Sequence, residues 1–143
     1  MSQSQGNDQQ QTTAVRRVGL VEDHESVALG LKAMLADEPD LDLVSIAATV
    51  AELLAQQQTL DLVVLDLRLG DGSSPRSNVE QLHAAGARVL VYTGAENAFL
   101  VRSAARAGVL GVVRKSAPAA AIVSAIRRAA SGGQVVTTDW AAA

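Results

Sequence analysis

Glu22 and Asp23 close one short apolar run, Val18-Gly19-Leu20-Val21, and Asp66 closes another, Leu62-Val63-Val64-Leu65. Unbroken Val/Leu runs of this kind mark strands buried on both faces of a parallel sheet. In open α/β sheets, ligands bind outside the carboxyl ends of such strands. If the two runs are neighbours, three carboxylates meet in one crevice. Carboxylates crowded together repel and are costly to desolvate, so such a cluster suits a hard cation. Two acids and a strand-terminal acid fit Mg²⁺, which takes few carboxylates, a backbone carbonyl and retained waters. Thr93 and Lys115 close two further strand-like runs. A hydroxyl and an ammonium on the same rim suit the equatorial oxygens of a phosphoryl group. The set reads as a nucleophilic carboxylate, a metal that neutralises charge, and two clamps.

Each residue alone has an ordinary reading. An acidic pair after an apolar run also makes a solvated turn or a helix cap. A strand-ending aspartate also begins turns, as a threonine there does, and a lone lysine is solvated surface. The conjunction carries the argument: four strand ends, in order, each bearing the type of residue that the chemistry requires.

The elements that must position these residues follow one another as β-then-α units. Strands are expected at residues 15–21, 43–47, 61–66, 88–92 and 111–114, and helices at 26–36, 50–57, 76–85, 97–107 and from Pro118 to about 130. Thr49 caps the second helix and Glu52 completes a capping box. Gly86, Gly108 and Gly132-Gly133 stop the later helices. The stretch from Gly70 to Pro75 is a loop by its Gly, Ser and Pro content. Five such units imply a parallel sheet covered by helices on both faces, with right-handed crossovers. His24 reads as a capping or surface residue, His83 as exposed, and Arg127-Arg128 as facing the negative end of the last helix.

With 143 residues the chain is long enough for one domain. Apolar residues make up 48% and aromatic residues 2%, so the core is aliphatic. Its net charge of -3 gives no general attraction to nucleic acid. There is no cysteine, hence no disulfide framework or thiolate chemistry, which suits the cytoplasm. No apolar stretch approaches the roughly 18 residues of a membrane span. Residues 1–13 read as a polar tail, 14–131 as the folded domain, and 132–143 as a linker.

The segments Val-Glu-Asp-His-Glu-Ser (21–26), Leu-Asp-Leu-Arg-Leu (65–69), Tyr-Thr-Gly (92–94) and Arg-Lys-Ser (114–116) resemble the receiver domain of two-component response regulators. The likeness is greatest to the NarL/FixJ branch, whose members carry a C-terminal helix-turn-helix. That resemblance implies a flavodoxin-like fold with strand order 2-1-3-4-5. It implies that Asp66 is the phosphoacceptor for a sensor histidine kinase. Asp23 is then a direct Mg²⁺ ligand, Glu22 acts through water, and Arg68 lends its backbone carbonyl. Thr93 moves toward the phosphoryl group and Lys115 pairs with it. The resemblance further implies homodimerisation on activation and DNA contact only through a C-terminal domain outside this sequence, which is then either truncated or a stand-alone receiver. The alternative within the family is a phosphorylation-independent receiver acting as an interaction module.

The chain departs from the family at Gly70, where a proline is usual, at Ser74, where a glycine is usual, and at Val112, where an aromatic is usual. Two enzyme classes fit worse. An aspartate-nucleophile phosphatase needs a second aspartate two positions after the first, and Arg68 stands there. A dinucleotide-binding enzyme needs a glycine-rich turn after the first strand, and none follows.

Overall fold

A computed structural model describes residues 14–94 and 98–135. Five strands, β1 (Arg16–Val21), β2 (Leu41–Ala47), β3 (Leu62–Leu65), β4 (Arg88–Thr93) and β5 (Val112–Arg114), alternate with five helices. These are α1 (Glu25–Ala36), α2 (Val50–Ala55), α3 (Pro75–Ala84), α4 (Ala98–Arg106) and α5 (Ala119–Ala130). All strand pairs are parallel, in the order β2-β1-β3-β4-β5. The flavodoxin-like order expected from the family resemblance is therefore the observed one.

Alternation along each strand divides the core between the two faces. Val18, Leu20, Leu62, Val64, Leu90 and Tyr92 pack with Leu31 of α1 and Ile122 and Ile126 of α5. Val21, Val63, Leu65 and Val89 pack with Leu53 of α2 and Val79 and Leu82 of α3. Val91 and Val112 pack under Val101 and Ala104 of α4. The apolar row of α5 is thus spent on the sheet. Its exposed positions include Ala121, Ser124 and Arg128, so that apolar row is not a surface for pairing with another copy.

Element ends differ from the sequence reading by small steps with local causes. β2 starts two residues early because Leu41 is buried and pairs with Arg16 while Asp42 points outward. α2 ends at Ala55, and Gln57 takes a φ of 55°, a left-handed conformation that a helix cannot continue through. Thr49 Oγ1 accepts the Glu52 amide at 3.1 Å, but the Glu52 carboxylate reaches back to the Ala48 amide at 3.4 Å, one residue before the cap. α3 starts at Pro75, with Ser74 as its cap accepting the Ser77 amide at 3.1 Å. The serine that replaces the usual glycine therefore opens this helix, and proline at the first helical position suits it. Asn97, the expected start of α4, lies outside the described residues, as do residues 1–13 and 136–143.

After α5 the chain turns at Gly132-Gly133 and crosses the start of the edge strand. The Val135 amide donates to the Leu110 carbonyl at 2.8 Å, and the Arg128 Nε donates to the Gln134 carbonyl at 2.6 Å. A Cβ on Gly111 would lie 2.5 Å from the Val135 carbonyl oxygen, so only glycine permits this crossing.

Candidate functional site

The parallel register sets the rim. Val21 pairs with Leu65 and Leu65 with Val91, so β1, β3 and β4 end side by side. The next residues are held by the sheet itself: the Glu22 amide donates to Ala47 O at 2.9 Å and the Asp66 amide to Val21 O at 3.1 Å. On the far side, the Lys115 amide donates to Thr93 O at 2.7 Å. Residues separated by up to eight elements therefore share one edge.

The side chains converge. Lys115 Nζ lies 2.6 Å from Glu22 Oε1 and 3.4 Å from Asp66 Oδ2. Glu22 and Asp66 are each 3% exposed. The other Glu22 oxygen accepts the His24 amide at 3.0 Å and lies 3.0 Å from the His24 ring Nδ1. Asp23 is the more open carboxylate; its Oδ2 accepts the Gly70 amide at 2.7 Å, and its Oδ1 lies 3.2 Å from His24 Nδ1. Asp66 Oδ1 accepts the Arg68 amide at 3.2 Å. Glu22, Asp23, His24 and Asp66 each offer a ligand atom within 4.8 Å of the others. The buried Thr93 hydroxyl has no hydrogen-bond partner among the described residues.

Charge follows from this geometry. Burial, and then the charge of Glu22, raise the pKa of Asp66 against the pull of Lys115. Burial works against the Lys115 ammonium, but its hydrogen bond to Glu22 and the charge of Asp66 outweigh it and raise its pKa. The hydrogen bond to Glu22, then the charge of Asp23, raise the pKa of His24. Three carboxylates face one ammonium, so the cluster keeps a net negative charge that a divalent cation could balance.

Glu22, Asp23, Asp66, Thr93 and Lys115 all fall at this rim, and Arg68 joins it through its amide, which donates to Asp66. One contributor was not foreseen, the Gly70 amide, which holds Asp23; His24 stands exposed at the N-cap position of α1 as expected, but its ring makes no cap hydrogen bond and touches both acids. The replacement of a usual proline by Gly70 was the available signal, because only a non-proline residue brings an amide donor to that place.

A family model, the response regulator receiver domain, matches residues 18–127. The chain belongs to the response regulator receiver family. The receiver is 32% identical over 130 residues to the DNA-binding transcriptional activator DevR/DosR of Mycobacterium tuberculosis, covering 89% of this chain and 60% of that protein. It is 31% identical over 120 residues to the transcriptional regulatory protein LiaR of Bacillus subtilis, covering 81% and 56%. The receiver therefore spans well under two thirds of the length of these curated relatives. A solved LuxR-family response regulator from Aurantimonas sp. superposes on the receiver with a TM-score of 0.78 at 30% identity, covering 90% of this chain and 94% of that one. The receiver domain of the putative response regulator NarL from Mycobacterium tuberculosis shares the fold, with a TM-score of 0.74 at 23% identity and coverage of 83% and 98%. These relatives place the receiver with the NarL/FixJ type. Among the described residues, no helix is long and apolar enough to cross a membrane.

Proposed function

We propose that this receiver takes a phosphoryl group from the phosphohistidine of a sensor histidine kinase onto Asp66 and thereby switches a DNA-binding output. The observation that carries the reading is the placement of Lys115 between Glu22 and Asp66, 2.6 Å and 3.4 Å away. An Asp66 carboxylate oxygen attacks phosphorus, a P–O bond forms, and the P–N bond breaks with its electron pair leaving on the imidazole. The product is an acyl phosphate on Asp66 and a free kinase histidine.

Glu22, Asp23, Asp66 and the Arg68 carbonyl would hold Mg²⁺, and their net negative charge fits that role. When bound, the ion supplies neutralisation of the charge that gathers on the phosphoryl oxygens. Lys115 transfers its ammonium from Glu22 toward the new phosphoryl group, and the unpartnered Thr93 hydroxyl donates to one of its oxygens. Movement of Thr93 and Lys115 biases β5 and the helices beside it, α4 and α5. Arg68 offers no general acid, so the site accepts one phosphoryl group and does not turn over phosphomonoesters.

The wider reading takes DevR/DosR, a DNA-binding activator, as its guide. The phosphorylated protein pairs with a second copy in the cytoplasm, and a further domain contacts DNA. The decisive experiment is a phosphate-affinity gel of wild type and Asp66→Asn after incubation with acetyl phosphate and Mg²⁺. A shifted band in wild type alone is expected. No shift in wild type overturns the reading, and an equal shift in the variant moves the acceptor to another residue.

A further inference from the structure

We propose that the Gly70 amide is a positioning group for the divalent cation, fixing Asp23 in the carboxylate cluster and so setting the affinity of the site for Mg²⁺. The inference rests on the metal reading above and adds a determinant that belongs to this chain.

Glu22 and Asp66 are buried and held by their neighbours, whereas the Asp23 side chain is 24% exposed. Its other contact is the exposed His24 ring, 3.2 Å from Oδ1, so without a firmer tie the side chain can turn toward solvent, and gathering it onto an ion costs rotamer entropy at the moment of binding. The Gly70 amide removes that freedom in advance. It donates to Asp23 Oδ2 at 2.7 Å across 47 positions of sequence. With that oxygen tied, Asp23 stays where a ligand atom lies within 4.8 Å of those of Glu22, His24 and Asp66. A ligand held in place before binding gives a tighter site.

Glycine meets two requirements here. The donor must exist, which excludes proline. The approach must also be close: a Cβ on residue 70 would lie 2.8 Å from Asp23 Oδ2. That atom is the end of a side chain, so an added methyl group would push the carboxylate aside and leave the backbone in place. Gly70→Ala keeps the donor and displaces Asp23; Gly70→Pro removes the donor altogether.

The test compares wild type, Gly70→Ala and Gly70→Pro by calorimetric titration with MgCl₂ and by the rate of acetyl phosphate labelling as a function of Mg²⁺. Gly70→Pro should bind Mg²⁺ several-fold more weakly and Gly70→Ala less weakly than that. The Mg²⁺ concentration that half-saturates labelling should rise in the same order. Equal Mg²⁺ affinity in wild type and Gly70→Pro overturns the proposal, as does a lower maximal rate at unchanged half-saturation. Wild type that binds no Mg²⁺ overturns the metal reading itself. If Gly70→Pro lacks a cooperative melting transition, Gly70→Ala decides, and an unchanged half-saturating concentration overturns the proposal.

Discussion

Lys115 and Glu22 form a tighter ion pair, at 2.6 Å, than Lys115 forms with Asp66, at 3.4 Å. The lysine of this rim is therefore held closer to the acid that follows β1 than to the one that follows β3. Removing it leaves two buried carboxylates without a counter-charge, and breaking a buried pair from one side is costly. Lys115→Ala should lose about 3 kcal/mol of stability, measured by urea unfolding. Added Mg²⁺ should stabilise this variant more than wild type, since the cation replaces the missing charge.

Asp66→Asn should raise stability while abolishing phosphorylation. In the folded chain the Asp66 carboxyl holds its proton more tightly than in the unfolded chain, through burial and then the charge of Glu22. A raised value means that the group's stabilising contribution is complete below the ordinary aspartate pKa of 3.8 and is lost as pH rises through the folded value. At neutral pH the amide should therefore gain about 1 kcal/mol, a common size for relieving strain at a functional site. Urea unfolding at several pH values should show the gain shrinking as pH falls toward that ordinary value.

Arg127 ties α5 to the turn between α1 and β2. Its Nε and Nη2 donate to the two Asp40 oxygens at 2.6 and 3.1 Å, and Nη2 also donates to Glu38. The hydrogen bond from Arg127 chiefly lowers the Asp40 pKa. A depressed carboxyl stabilises above its ordinary value of 3.8 and loses that contribution as pH falls through the folded value. The pair is partly exposed, so Arg127→Gln should cost about 0.5–1 kcal/mol near pH 7. The difference from wild type should fade in acid, and 1 M salt should reduce it at neutral pH. An acid-independent loss would assign the effect to packing of the arginine stem.

Ser74→Ala should cost about 1 kcal/mol through the lost cap of α3, whereas Ser74→Gly should cost only a few tenths. Thermal melting of both variants measures the contrast. Equal losses would mean that Pro75 alone fixes the start of the helix.

The strands were legible because buried parallel strands leave unbroken apolar runs, their order was implied only by the family resemblance, and the four rim positions follow from where those runs stop. Helix starts were legible where a cap lies next to the helix in sequence, as at Thr49. What stayed hidden depends on contacts between distant segments. The Arg127–Asp40 pair spans 87 positions, so the neighbouring Arg127-Arg128 suggested only a favourable helix end. The Gly70–Asp23 bond depends on how closely one loop approaches another. The choice of Lys115 between Glu22 and Asp66 turns on less than 1 Å, 2.6 against 3.4 Å, which no pattern of residue types encodes. The ring of His24 follows the same rule: its identity was visible, but its turn toward the acids was not.

The way the chain leaves α5 protects an exposed margin. β5 is the shortest outer strand, and an outer strand with open amides and carbonyls invites foreign chains to add to it. Here the opening position is already taken, because Leu110 receives the Val135 amide on one flank while the Gly111 carbonyl receives the Val91 amide on the other. Any strand adding at Leu110 must first displace the molecule's own backbone, at a place too narrow for a methyl group.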